Sequence, residues 1–170
     1  MSADSGPRGP ESVANPVPVR TDRHDSAGTP LLSALVGERI VSTVSTEAAE
    51  LLESEPLMAH LGTCVDERPH VAPVWYTYDE SDETVEIVTS GKKLANIREN
   101  PQVALSIQAD EGGQTQWMVS LLGTATVVED EEANEDARRR IHAKYDAPAD
   151  AYADNTLVRI DVGSATAQTY

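Results

Sequence analysis

The run Arg68-Pro69-His70-Val71-Ala72-Pro73-Val74-Trp75-Tyr76-Thr77-Tyr78, with Thr84-Val85-Glu86-Ile87-Val88-Thr89 beyond the acidic turn Asp79–Glu83, decides the fold class. Within it His70–Tyr78 is rich in β-branched and aromatic side chains, and Thr84–Thr89 alternates with period two, the pattern of strands on a half-buried sheet. Upstream, Leu57–Val65 is a third β-compatible run, separated from His70 by the turn Asp66-Glu67-Arg68. Three such runs joined by short polar turns predict an antiparallel meander. Downstream, Lys92–Asn100 places Leu94 and Ile97 on one face of a short helix that Pro101 stops. Gln102–Ala109 is a fourth strand, and Asp110-Glu111-Gly112-Gly113 a strong turn. Gln114–Val128 is long for one strand, and Gly123 marks a bulge within it. Glu129–Ala143 opens acidic and closes on Arg138-Arg139-Arg140, the charge order that a helix dipole favours. Asn155–Asp161 supplies a last strand, and a helix capped by Thr46 precedes the first. Six antiparallel strands with short helices, mainly β (α+β), fit a β-barrel better than a doubly wound sheet.

The chain has 170 residues, with 13 Lys+Arg against 29 Asp+Glu and a formal net charge of −16. A nucleic-acid binder needs a basic face to neutralise phosphates, and an anionic membrane surface attracts the same sign, so neither is expected as a partner. No stretch approaches the ~20 apolar residues of a membrane-spanning helix, and Met1-Ser2-Ala3-Asp4-Ser5 lacks the basic-then-apolar start of a secretory signal. Only three lysines occur, against ten arginines, and no Phe. An acid-rich, Lys-poor composition suits a salty, halophilic cytoplasm, where screening damps self-repulsion. The single Cys64 excludes an intramolecular disulfide and fits a reducing, cytoplasmic setting as a buried, inert thiol. Residues 1–30 are Ser, Pro, Gly, Asp and Arg with few large apolar groups, and read as a disordered tail. Residues 31–45 read as an arm or linker, 46–163 as the folded domain, and 164–170 as a C-terminal tail.

Two of the three lysines stand side by side at Lys92-Lys93, directly after Thr89-Ser90-Gly91 at a strand-to-helix junction. There the N–H groups of a helix start, two hydroxyls and two ammonium groups can converge on one anion, with phosphate the obvious candidate; a solvated helix start is the plainer alternative. Trp75, Tyr76 and Tyr78 cluster around Pro73, which cannot donate to a ladder, and together they could form a flat apolar slot or simply core. Trp117 offers a second planar group with the same two readings. The four histidines show no metal-ligand spacing, so no metal site is expected, and no nucleophile elbow, Walker loop or dinucleotide fingerprint is present. A phosphate cradle without an acid–base pair suggests that a bound cofactor carries the chemistry.

The ordered set Ala59-His60-Leu61-Gly62-Thr63, then Arg68-Pro69-His70-Val71-Ala72-Pro73-Val74-Trp75-Tyr76, Thr89-Ser90 with Lys93, and Asn96-Ile97-Arg98-Glu99-Asn100-Pro101 resembles the pyridoxamine 5′-phosphate oxidase-like, FMN-binding split β-barrel family, across residues 45 to 163. That resemblance implies a six-stranded antiparallel split β-barrel forming a homodimer, with a flavin at each end of the interface. It implies that Val71, Ala72, Pro73, Val74 and Trp75 contact the isoalloxazine ring, largely through backbone. Thr89, Ser90, Lys92 and Lys93 would hold the ribityl phosphate, and Gln114 and Trp117 would approach the flavin from the partner subunit. The implied activity is FMN-dependent two-electron (hydride) transfer to or from a small organic substrate. The family's alternatives are a deazaflavin coenzyme in place of FMN, or non-catalytic binding of flavin or haem. The pyridoxamine phosphate oxidases proper carry Arg and Trp in a C-terminal segment, whereas this chain has Val162-Gly163-Ser164-Ala165-Thr166-Ala167-Gln168-Thr169-Tyr170, so vitamin B6 oxidation is not expected.

Overall fold

One residue, Trp75, carries the chain from one edge of the sheet to the other. The computed structural model describes residues 42–170. Strands β1 (Ala59–Val65) and β2 (Arg68–Val74) form a hairpin with Val65 opposite Arg68 and Ala59 opposite Val74. Its two-residue turn holds Asp66 and Glu67 at φ 50° and 60°, the left-handed pair that a tight hairpin of this twist requires. Strand β3 (Tyr76–Asp79) starts immediately after Trp75 and pairs instead with β4 (Thr84–Thr89), Tyr76 opposite Ile87. The remaining strands are β5 (Gln102–Glu111), β6 (Gln114–Val128) and β7 (Thr156–Thr169), and the full order is β2-β1-β5-β6-β7-β4-β3.

Seven strands therefore stand where six were expected, because His70–Tyr78 is two strands and not one. The two end strands of the sheet are consecutive in the chain, so Val74 and Tyr76, on opposite edges of the ladder order, are only about 7 Å apart at full extension. The sheet rolls up until its edges meet at Trp75, but no ladder joins β2 to β3. It is a barrel left open along one seam. Pro73 is tolerated on β2 because that strand is an edge.

The last strand runs well past Asp161, through the residues expected as a tail, to Thr169. Trp117 to Leu122 on β6 pair with Thr169 back to Ser164. The register shifts between Leu122 and Gly123, the bulge expected at Gly123. A Cβ there would lie 2.6 Å from the Asp161 carbonyl oxygen and 2.7 Å from Ile160 Cγ2, so only glycine fits.

Three helices among the described residues complete the fold. Helix α1 (Thr46–Ser54) is capped by Ser45, not Thr46: Ser45 Oγ accepts from the Ala48 N–H at 3.2 Å. It buries Ala48, Ala49 and Leu52 into a core shared with Leu61, Tyr76, Ile87, Ile107, Leu121 and Ile160. Helix α2 is Gly91–Glu99. Helix α3 (Glu131–Tyr145) is capped by Asp130 and ends at Asp146, whose φ is 49°. It packs against β4 and β7 from the other side, which explains why all six residues of β4 are buried. Glu86 in mid-strand is tolerated there because Arg140 and Arg159 both bind its carboxylate, the latter at 3.0 Å.

The tail at residues 1–30 and most of the arm at 31–45 lie outside the described residues. Of the arm, Ser42 Oγ and the Val44 N–H both donate to Glu83 Oε1, the second at 2.9 Å. Those donors hold the Glu83 carboxyl below its ordinary range.

Candidate functional site

Where the seam meets the ends of β2 and β4, a cavity of about 190 Å³ opens. Pro73, Val74 and Trp75 line one side, Val88, Thr89 and Lys93 another, and Met58, Tyr152 and Asn155 complete it. Each wall follows from the fold. Trp75 belongs to no strand because its neighbours pair with different ones. The backbone from Thr89 turns into α2 through extended Ser90 and through Gly91 at φ +63°, a conformation glycine adopts without steric cost.

The α2 end of the cavity gathers hydrogen-bond donors and one ammonium group. Thr89 is 1% exposed, yet its Oγ1 has no hydrogen-bond partner. A buried hydroxyl without a partner costs roughly 1–3 kcal/mol unless something satisfies it. Ser90 does not cap the helix with its side chain, so the first-turn N–H groups remain available, at the positive end of the helix dipole. Lys93 is half-buried and forms no ion pair among the described residues.

The Trp75 end is flat and braced from behind. Tyr145 stacks on the indole at 4.9 Å with the planes 13° apart. Tyr145 is fixed in turn: its hydroxyl donates to the Leu57 carbonyl at 2.6 Å and accepts from the Tyr76 N–H at 3.3 Å. Burial pushes the Tyr145 phenol up to about 12. Behind it, Lys144 Nζ lies 3.7 Å from the centre of the Tyr76 ring and donates to the Leu52 carbonyl at 3.0 Å. Desolvation lowers that ammonium to about 8. Tyr152 meets the exposed side of Trp75 edge-on at 5.0 Å.

Five of the residues singled out in the sequence thus share this cavity: Pro73, Val74, Trp75, Thr89 and Lys93. Ser90 and Lys92 flank it as exposed residues at the start of α2. Ala72 is half-buried on β2, outside the lining, and Val71 is 67% exposed on the outer face of the sheet. Gln114 is exposed where β6 begins, and Trp117 is packed into the core of its own chain. Met58, Val88, Tyr152 and Asn155 were not anticipated, nor was Tyr145. Only Tyr145 left a signal, four residues beyond Ile141 on the buried stripe of α3.

Comparison with known proteins identifies the lineage. The family model of pyridoxamine 5′-phosphate oxidase matches residues 44–168. The chain belongs to the pyridoxamine 5′-phosphate oxidase family. No curated protein matches it in sequence. Among solved structures, an FAD-binding protein from Mesorhizobium loti is 21% identical, with 71% of this chain and 89% of that one aligned at a TM-score of 0.59. An F420 reductase is 25% identical over 69% of this chain and 94% of its own, at 0.55. HutZ, a haem storage protein from Vibrio cholerae, is 18% identical over 74% and 94%, at 0.59. Proteins of this fold are thus described as FAD-binding, as an F420 reductase and as a haem storage protein, and the fold alone does not select among these.

Proposed function

We propose that this member of the pyridoxamine 5′-phosphate oxidase family binds FMN in the cavity at the seam and serves as a two-electron oxidoreductase for a small organic substrate. The observation that carries the reading is the pairing, within one cavity, of a buried unpartnered Thr89 hydroxyl and a half-buried unpaired Lys93 with a braced Trp75. Phosphate is the dianion that the first two residues suit, and the N–H groups of the first turn of α2 add donors of the same polarity. Ser90 and Lys92 stand beside them and add a hydroxyl and a charge. The backbone of Val71 to Trp75, on an edge strand, offers main-chain groups to a ring, as the family resemblance implies. When bound, FMN supplies the hydride chemistry. The protein contributes binding, orientation and a wall that excludes water from one side, since no side chain lining the cavity is a carboxylate, histidine or thiol.

The reading includes a homodimer. The outer face of β1, β2, β5 and β6 exposes Val71 at 67% and Leu122 at 59% beside Gly62 and Ala104. Apolar residues grouped around a groove on a highly acidic chain favour cover by a second copy. Gln114, exposed where β6 begins, remains a proposed contact from that copy, whereas Trp117 is packed into the core of its own chain. No helix among the described residues is long and apolar enough to cross a membrane, and the free Cys64 suits a reducing cytoplasm.

The 25% identity to an F420 reductase favours a second reading, in which a phosphorylated deazaflavin occupies the same residues. Anaerobic titration of the flavin-loaded protein with NADH and NADPH tests enzyme against binder. Bleaching of the flavin band, followed by reoxidation with an added quinone or nitroaromatic acceptor, supports the oxidoreductase. A flavin that no donor reduces leaves a binding protein.

A further inference from the structure

The cavity has one fixed wall and one lightly held wall, both against Trp75. Tyr145 is stacked on the indole and anchored through its hydroxyl on Leu57 and Tyr76. Tyr152 is 54% exposed and touches the indole only edge-on. Its φ of +56° puts a bulky aromatic residue in the left-handed region, which such residues rarely adopt and which persists only where the surroundings impose it. Ala151 N–H donates to the Pro148 carbonyl and Asn155 N–H to the Tyr152 carbonyl, each at 3.0 Å, while Asn155 ties the far end to the Val88 carbonyl at 3.4 Å and to Arg138 at 3.3 Å. Between these anchors the Tyr152 side chain makes no hydrogen bond among the described residues. Asp146, at φ 49°, sits at the other end of that segment and ends α3. The cavity it borders, at about 190 Å³, is smaller than the roughly 300–1,000 Å³ of ordinary ligand pockets. A ring ligand that settles against Trp75 on the side Tyr152 covers displaces Tyr152, the lining aromatic held edge-on in the left-handed region.

We propose that Tyr152 is a gate: its ring swings off Trp75 to admit a flat, phosphate-bearing ring ligand and then closes on it, so that Tyr152 sets the rates of entry and exit rather than the affinity. This rests on the reading of the cavity as a flavin site. A static wall would instead alter escape and affinity together and leave entry unchanged, so the two rate constants separate the roles.

The experiment is stopped-flow mixing of the full chain with FMN, following flavin fluorescence, for wild type, Tyr152→Gly, Tyr152→Asn and Tyr152→Phe. Glycine and asparagine both tolerate the left-handed backbone, so two open-gate variants fold with the strain relieved. Both are expected to raise the association and dissociation rate constants by about tenfold or more, with Kd within about threefold of wild type. Tyr152→Phe keeps the ring and should behave as wild type. An association rate constant for both open-gate variants within about twofold of wild type overturns the gate, whatever happens to dissociation. A wild-type chain that binds no FMN at any concentration overturns the flavin reading itself and the gate with it, an outcome distinct from unaltered kinetics in a chain that does bind.

Discussion

Replacing Lys93 by alanine separates a ligand-holding charge from a structural one. Lys93 forms no ion pair among the described residues and lies half-buried beside the unpartnered Thr89 hydroxyl. Its removal from the folded protein without ligand should therefore change stability by no more than about 0.5 kcal/mol, the range of a surface substitution that breaks nothing. With FMN present the account is different. A hydrogen bond to a charged group is worth about 1.5–3 kcal/mol, and partial exposure places Lys93 in the lower half of that range. A loss of about 2 kcal/mol corresponds to roughly a 30-fold rise in Kd for FMN. Riboflavin has the same ring and no phosphate, so its Kd should move by less than about twofold, since no ammonium–phosphate contact is lost. Fluorescence titration of both ligands against wild type and Lys93→Ala, with urea melts of the ligand-free proteins, measures every quantity. An unchanged FMN affinity, or equal losses for FMN and riboflavin, would refute the assignment of Lys93 to the phosphate.

The neighbouring position should reverse sign with ligand. Thr89→Val removes a buried hydroxyl that has no partner, so the ligand-free protein should gain about 1 kcal/mol while FMN binding weakens about tenfold; urea melts with and without FMN read both. Gly123→Ala places a methyl carbon 2.6 Å from the Asp161 carbonyl oxygen and should cost about 2–3 kcal/mol through displacement of β7, seen as a lower Tm. Stability should rise with pH above 8, because Lys144 releases its proton near 8 in the fold against an ordinary 10.5, so the unfolded chain binds more protons across that window. Above about pH 10 the sign reverses: Tyr78 and Tyr145, at about 12, and Tyr76, higher still, keep protons that the unfolded chain loses. Thermal melts from pH 7 to 11 should show a maximum near 10, and Lys144→Met should flatten the rising limb. Added KCl should raise Tm by screening the −16 charge, and a Tm that is flat from low to molar salt would count against a salt-adapted chain.

What was legible in the sequence was whatever depends on neighbours along the chain. The strand at Thr84–Thr89, the hairpin turn at Asp66-Glu67 and the bulge at Gly123 are local, and each is in place, although all six residues of β4 are buried where the alternation predicted a half-buried strand. The break at Trp75 is not local. Val74-Trp75-Tyr76 reads as uninterrupted strand, and only the pairing of Val74 with Ala59 and of Tyr76 with Ile87, in different parts of the sheet, divides it. The stretch Gly163–Gln168 is mostly small and polar with only Thr166 β-branched, and takes strand form because the N-terminal half of β6 supplies the ladder.

The site divides the same way. Thr89 and Lys93 could be read from a strand-to-helix junction with paired lysines, and both line the cavity. Val71 and Trp117 carried the same kind of expectation, but strand parity turns Val71 outward and burial gives Trp117 to its own core. Tyr152 follows the run Asp146-Ala147-Pro148-Ala149-Asp150-Ala151, whose composition announces only a loop, and Asn155 stands where the last strand was expected to begin, one residue before β7. Their place against Trp75 depends on where α3 ends, which no short-range pattern encodes.

The most direct test of the central claim is the absorbance spectrum of the full chain purified in molar KCl, with mass spectrometry of what acid releases. The account predicts a yellow protein that yields FMN, or a colourless one that becomes yellow on titration with FMN and saturates near one flavin per chain. A protein that takes up neither FMN nor a phosphorylated deazaflavin contradicts the assignment of Thr89, Lys93 and Trp75 to a flavin site, and leaves only the open barrel standing.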